Sequence, residues 1–296
     1  MTSPSPSLFR DRILPILTVV FAILVVWHVF VVYLNAPFVR DQAARANETI
    51  TFGQVVERSF AQERPVLPAP HQIFAELWDT TVNKAVTSKR SLVYHAWITL
   101  STTLLGFAIG TVLGILLAVG IVHNRAMDRS LMPWVIASQT IPILAIAPMV
   151  IVVLNSVGIS GILPKALIST YLSFFPIVVG MVKGLRSPDT ILLDLMHTYH
   201  ASPSQTFWKL RWPASMPYLF TSLKVAIAIS LLGAIVAELP TGAVAGLGAR
   251  LLSGSYYGQT IQIWAALFMA AGLAAILVSI VGAAHARVLN RMGVKP

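Results

Sequence analysis

Asp194-Leu-Met-His-Thr-Tyr-His-Ala-Ser-Pro-Ser-Gln-Thr-Phe-Trp-Lys-Leu-Arg-Trp-Pro213 is a polar, proline-bounded island between two apolar spans. A chain built largely for lipid keeps such a segment in water only to touch something. About 30 residues separate the flanking spans, far more than a turn requires. Pro188 and Asp189 open a helix that continues through Asp194 to Thr198. Ala201-Ser-Pro203 breaks it. Ser202 caps a second helix with Pro203 in its first turn, and Ser204 to Arg211 form that helix. Pro213 and Pro217 then set the entry into the next span. Phe207 and Trp208 are expected to stand exposed on this helix-turn-helix, as a docking knob for a protein partner.

Outward from the island the chain is a series of apolar runs. Segments at about 13–34, 92–122, 132–155, 162–182, 216–237 and 259–283 are each long enough to cross a hydrocarbon core, which takes about 20 helical residues. Period-2 alternation is absent, so strands are excluded. The expected fold is all-α: six transmembrane helices, both termini on one face, and a helix on the island. Arg10, Arg12, Arg125, Arg129, Lys183, Arg186, Lys209, Arg211, Arg287, Arg291 and Lys295 fall on one side. The short loops of the other side hold only Lys165 and Arg250. The basic side is the cytoplasmic one, so the island and both termini are read as cytoplasmic.

Composition agrees. Of 296 residues, 56% are hydrophobic and 11% charged, against about 25% charged in soluble domains. There is no cysteine, hence no disulfide or thiolate chemistry. The net charge of +10 flanks apolar spans without a basic helix or binding motif, so nucleic acid is set aside as a partner. The run at 13–34 exceeds a signal-peptide core of about 7–15 residues and is read as an uncleaved anchor. Residues 35–90 are polar and proline-broken; within them His71 to Val86 could lie on the membrane surface with Phe74, Leu77 and Trp78 facing inward. The division expected is 1–90, anchor and extracytoplasmic segment, and 91–296, a five-helix core carrying the loop 186–215.

Several residues inside the spans stand out. Gly106, Gly110 and Gly114, continued by Ala118, form a flat stripe for close helix approach, either within the chain or at a subunit interface. Pro142 and Pro148 each remove a donor and free a carbonyl at membrane depth. Gln139 and Thr140 beside them either line a pathway or bond to a neighbouring helix. Glu238 is an acid near membrane depth: a pathway residue, or the marker of a helix end paired with Arg250. Tyr257, with Tyr256, is an interfacial anchor or part of a binding cage.

Catalytic signatures are missing. There is no phosphate-binding Gly-x-x-x-x-Gly-Lys-Ser/Thr loop, no Gly-x-Ser-x-Gly elbow and no His-Glu-x-x-His pair. Asp194, His197 and His200 stand at three-residue steps, but a metal site there is set aside, as are catalytic residues in general.

The island resembles the coupling-loop signature of bacterial ABC importer permeases, Glu-Ala-Ala-x-x-x-Gly, nine residues, then Ile-x-Leu-Pro. Asp194 falls at the Glu position, Leu195 and Met196 at the Ala positions, Leu210 at Ile, Trp212 at Leu and Pro213 at Pro. His200 replaces the Gly, followed by Ala201; this departure puts a bulky polar side chain in the turn. Leu67-Pro-Ala-Pro70, Gln139-Thr-Ile-Pro142, Gln205-Thr-Phe-Trp-Lys209 and Pro213-Ala-Ser-Met-Pro-Tyr218 are similar to the nitrate, sulfonate and taurine branch. Ala237-Glu-Leu-Pro-Thr-Gly242 and Gly254-Ser-Tyr-Tyr-Gly258 look closer to permeases for thiamine-precursor pyrimidines.

The resemblance implies the type I importer permease fold in the bacterial inner membrane. It implies a second permease copy, two cytoplasmic ATP-binding subunits that use ATP and Mg, and an extracytoplasmic solute-binding protein; this chain itself holds no cofactor. Phe207 and Trp208 would pack into the ATPase, with Asp194 and Arg211 fixing the loop. The cargo favoured is a pyrimidine-like heterocycle, because few cations lie in the spans to receive a sulfonate or nitrate. An ATP-independent channel or carrier is the alternative from another class.

Overall fold

The computed structural model describes residues 13–239 and 245–293. Arg10, Arg12, Lys295 and the Pro240–Gly242 part of the pyrimidine-like motif lie outside the described residues. Twelve α-helices occur among the described residues, with no strand. They are α1 (Leu14–Arg45), α2 (Phe52–Phe60), α3 (Pro70–Trp78), α4 (Leu92–His123), α5 (Arg125–Ala137), α6 (Ile143–Ser156), α7 (Ile162–Leu185), α8 (Thr190–Thr198), α9 (Pro203–Thr206), α10 (Trp212–Glu238), α11 (Leu247–Tyr256) and α12 (Thr260–Arg291). Among the described residues, five helices are long and apolar enough to span a bilayer. The sixth expected span is a bent pair: Arg125–Thr140 and Ile143–Ser156 meet at 101°. Pro142 explains the break, since it can neither extend a helix from Thr140 nor donate a backbone bond.

Two compact units form, residues 1–85 with 251–267, and residues 86–250 with 268–296.

In the first unit, α1 does not stop at Leu34. It continues through Pro37 to Arg45, because Asn35 does not cap it. The Asn35 amide is fully buried and instead bonds the 59–67 segment. It donates to the carbonyls of Ser59 (3.3 Å) and Leu67 (2.9 Å) and accepts from the amides of Val66 (2.8 Å) and Leu67 (3.3 Å). Trp27 donates to the Pro68 carbonyl at 3.0 Å and stacks obliquely on Trp264. Helix α2, not foreseen from sequence, starts with the Thr51 amide donating to Gln54 and buries Val55 and Ser59. In α3 the residue buried within the chain is Ile73, while Phe74 and Trp78 are left exposed.

The second unit is built on α4, α7 and α10, which pack on one another. Their contact surfaces are small residues. A methyl at Gly114 would lie 2.8 Å from Ile177 of α7, one at Gly184 2.9 Å from the Ser215 backbone of α10, and one at Gly233 2.8 Å from the Ser169 backbone. Gly106 and Gly110 meet Ser169 and Ser173 in the same way. The Gly106–Gly110–Gly114 stripe is therefore an internal packing face, buried against α7. Hydroxyls thread the three helices together. Ser230 donates to the Thr103 carbonyl (2.9 Å), Ser169 donates to Ser230 (2.7 Å to its carbonyl), and Thr170 donates to the Gly106 carbonyl (3.1 Å). With no hydrophobic drive between helices in lipid, close backbone approach and such bonds supply the association.

Candidate functional site

The 186–215 loop has the helix-turn-helix form expected of it. Helix α8 follows Asp189, and its end is a left-handed turn: His200 has φ +49°. The amide of His200 donates to the His197 carbonyl and that of Ala201 to the Met196 carbonyl, both at 2.9 Å. That bond pair is a Schellman motif with His200 at the position where glycine is favoured. The departure noted in sequence is thus a backbone matter. Histidine is among the few non-glycine residues enriched in this region, and its side chain is exposed.

Ser202 then caps α9. Its hydroxyl accepts from the Gln205 amide (3.3 Å), while Gln205 accepts from the Ser202 amide (2.8 Å). The helix does not end before the next span. A single widened turn, Phe207–Arg211, carries it into α10 ahead of Pro213, so Pro203 to Glu238 is one 36-residue helix. The expectation of a separate knob gives way to a rod whose lower end is the knob.

Its side chains differ from expectation in two places. Phe207 is half-buried, packed on the His123 ring (5.2 Å) and the Trp212 ring (5.9 Å), and belongs to the core of the second unit. Only Trp208 of the pair is exposed, at 59%. Trp208 lies at the edge of this cluster, its ring meeting Phe207 edge-on at 4.9 Å and Trp212 at 5.5 Å while most of its surface stays open. Asp194 does not fix the loop: it is exposed and its carboxylate bonds to no described residue. Arg211 does, donating to the Leu185 carbonyl at the C-terminus of α7 (3.3 Å). Beside it, Arg186 pairs with Asp128 of α5 at 2.8 Å. Ile191, Leu195 and Tyr199, at four-residue steps along α8 and its cap, are exposed, as is Trp208.

At the break between α5 and α6, Gln139 and Thr140 are both exposed. Thr140 bonds its own helix at the Ala137 carbonyl (2.8 Å). The carbonyl that Pro142 would otherwise engage, Ser138, receives the Tyr171 hydroxyl from α7. The freed acceptor is thereby satisfied within the protein.

Glu238 is not on an open path. It is fully buried and accepts from the Thr99 hydroxyl (3.0 Å) and the Gly248 amide (2.9 Å). The same hydroxyl accepts from the Leu247 amide (2.9 Å), and His95 Nδ1 accepts from the Gly246 amide (3.0 Å). The Glu238 carboxylate lies where a side chain on Gly246 would stand, and Gly246 has φ +123°. Glu238, Thr99 and His95 together satisfy the first backbone donors of α11 and tie it to α4 and α10. Tyr257, in the other unit, is exposed at 69%.

The family described as "Binding-protein-dependent transport system inner membrane component" matches residues 110–293, more than half of the chain. The chain belongs to this family. This binding-protein-dependent permease is 35% identical over 184 residues to the formylaminopyrimidine transport permease protein ThiX of Halalkalibacterium halodurans, across 62% of this chain and 68% of that one. It is 28% identical to the riboflavin transport system permease protein RibX of Chloroflexus aurantiacus, across 63% and 65%. To the putative aliphatic sulfonates transport permease protein SsuC of Bacillus subtilis it is 26% identical, across 74% and 76%. Among solved structures, a chain of the inward-facing MetNI methionine ABC transporter superposes with a TM-score of 0.57 at 22% identity, covering 68% of this permease and 95% of that chain. The fold is that of a type I ABC importer permease. The matched residues include the 186–215 loop, the bent pair and α10; residues 13–85 lie before them.

Sequence reading missed Thr99, His95, Tyr171, Ser169 and Ser230. Lone hydroxyls and a histidine in apolar runs carry no local pattern. Only their spacing from glycines across three helices, visible after packing, gives them meaning.

Proposed function

We propose that this permease subunit imports a small neutral heterocycle, pyrimidine-like in size and polarity, driven by ATPase subunits that dock on the 186–215 loop. The observation that carries the coupling reading is the unbroken helix from Pro203 to Glu238. At 1.5 Å per residue it is about 54 Å long. A displacement of its exposed end at Trp208 is delivered along the helix to the Glu238–Thr99 contact at the other end. The Schellman turn fixes the chain between α8 and α9, and Arg211 ties the helix to the C-terminus of α7, so the load enters through a braced element.

In this reading the loop and both termini are cytoplasmic, in keeping with the basic residues on that side. Two ATP-binding subunits use ATP and Mg; this chain, without a phosphate loop, binds neither. A second permease copy completes the path, and an extracytoplasmic solute-binding protein delivers the cargo. The cargo assignment is supported by relatives that carry formylaminopyrimidine and riboflavin, and by the scarcity of cations within the spans. The test is calorimetry on the cognate binding protein with pyrimidines, flavins and taurine, followed by uptake into vesicles holding the full transporter. Binding and ATP-dependent uptake of a pyrimidine or flavin support it. Taurine binding alone moves the assignment to sulfonates, and uptake without the ATPase subunit overturns the importer mechanism.

A further inference from the structure

We propose that the groove between α1 and α2, in the first unit, is a binding site for one anionic phospholipid. The groove has a volume of about 610 Å³. His28, Val32, Ala36 and Arg40 recur every four residues along α1 and make one wall, about 18 Å long at 1.5 Å rise per residue. Phe52 and Val56, one turn apart on α2, make the other.

Depth assigns the two ends. The apolar run of α1 closes at Leu34, and the polar bonds of Asn35 to Ser59 and Leu67 begin immediately after it. The His28 end therefore lies at hydrocarbon depth and the Arg40 end at headgroup depth, and the groove is about as long as one leaflet is thick. Val29, Tyr33, Pro37 and Phe52 along its rim are exposed within the chain, so lipid reaches the groove directly.

Charge selects the lipid. Arg40 is exposed and bonds to no described residue. The adjacent carboxylate, Asp41, is already held by Arg45 at 2.8 Å. Among the described residues, no carboxylate lines the groove. A free guanidinium above an apolar slot matches a phosphate headgroup with an acyl chain beneath it. A packed helix from another protein would fill the slot but leave Arg40 without an anion.

The experiment uses the full chain in complex with its ATPase, placed in nanodiscs of phosphatidylcholine with graded phosphatidylglycerol and read by native mass spectrometry. One phosphatidylglycerol retained per copy of this chain is expected at low mole fraction. Arg40→Gln should weaken retention about fivefold, the effect of one basic residue at an anionic surface. Val32→Trp, which fills the slot, should abolish it. Equal retention of phosphatidylcholine, or unchanged phosphatidylglycerol retention in Arg40→Gln, overturns the proposal, as does a polypeptide found in the groove. Arg40 is exposed and bonds to no described residue, so Arg40→Gln decides alone should the tryptophan variant fail to assemble.

Discussion

Replacing His200 by glycine isolates a backbone effect at the coupling loop. At φ +49° an L-residue is disfavoured by about 1–2 kcal/mol relative to glycine. Glycine in turn loses more chain entropy on ordering, about 0.4–1 kcal/mol. The His200 side chain is exposed, so its removal sacrifices no packing. The balance favours His200→Gly by roughly 0.5–1 kcal/mol. Local opening of the turn breaks the 2.9 Å bonds from His200 and Ala201 to His197 and Met196. Hydrogen exchange over the 190–203 segment should therefore slow about two- to fivefold. His200→Val should do the reverse, because a β-branched residue tolerates this region worst. Equal exchange rates in wild type, His200→Gly and His200→Val would refute the left-handed turn and the account of this substitution with it.

Gly114→Leu should destabilise the second unit by about 1–3 kcal/mol, since its first side-chain carbon already meets Ile177 at 2.8 Å; denaturant titration measures it. Glu238→Ala should cost about 1–3 kcal/mol by leaving the Gly248 amide without its acceptor, and Glu238→Gln less, as an amide oxygen keeps one bond; transport should fall with folded yield rather than show a change of substrate preference. Phe207→Ala should cost about 2 kcal/mol of stability as a half-buried core ring. Trp208→Ala should cost about 1 kcal/mol or less while weakening ATPase co-purification at least tenfold; equal loss of ATPase binding in both variants would contradict their different facings. The Asp79 carboxyl, bonded by Asn83 and then Lys84, is held below its ordinary 3.8. A lowered carboxyl stabilises above its unfolded value and stops doing so as pH falls through the folded one. Exchange over 79–84 should thus be flat from pH 5 to neutrality, once corrected for intrinsic rates, and quicken only below 3.8.

Apolar run length, proline placement and capping residues are local signals, and they sufficed for much of this protein. The spans, the Ser202 cap and the break at Pro142 could be read from neighbours in sequence, because hydrocarbon thickness and backbone donors constrain each segment separately. The glycine stripe was legible as a close-approach face, but not which helix approached it. Facing and partner choice were not legible. Phe207 turned inward because His123, far from it in sequence, waits there beside Trp212 of its own helix. Glu238 became a tie for α11 because Thr99, 139 residues away, shares its proton with it. Asn35 extended a helix that composition ended, since its amide found partners 24 to 32 residues on. A polar side chain in an apolar run must be satisfied somewhere in the protein, so the sequence by itself determined that partners exist; only the packing of the helices decided which they are.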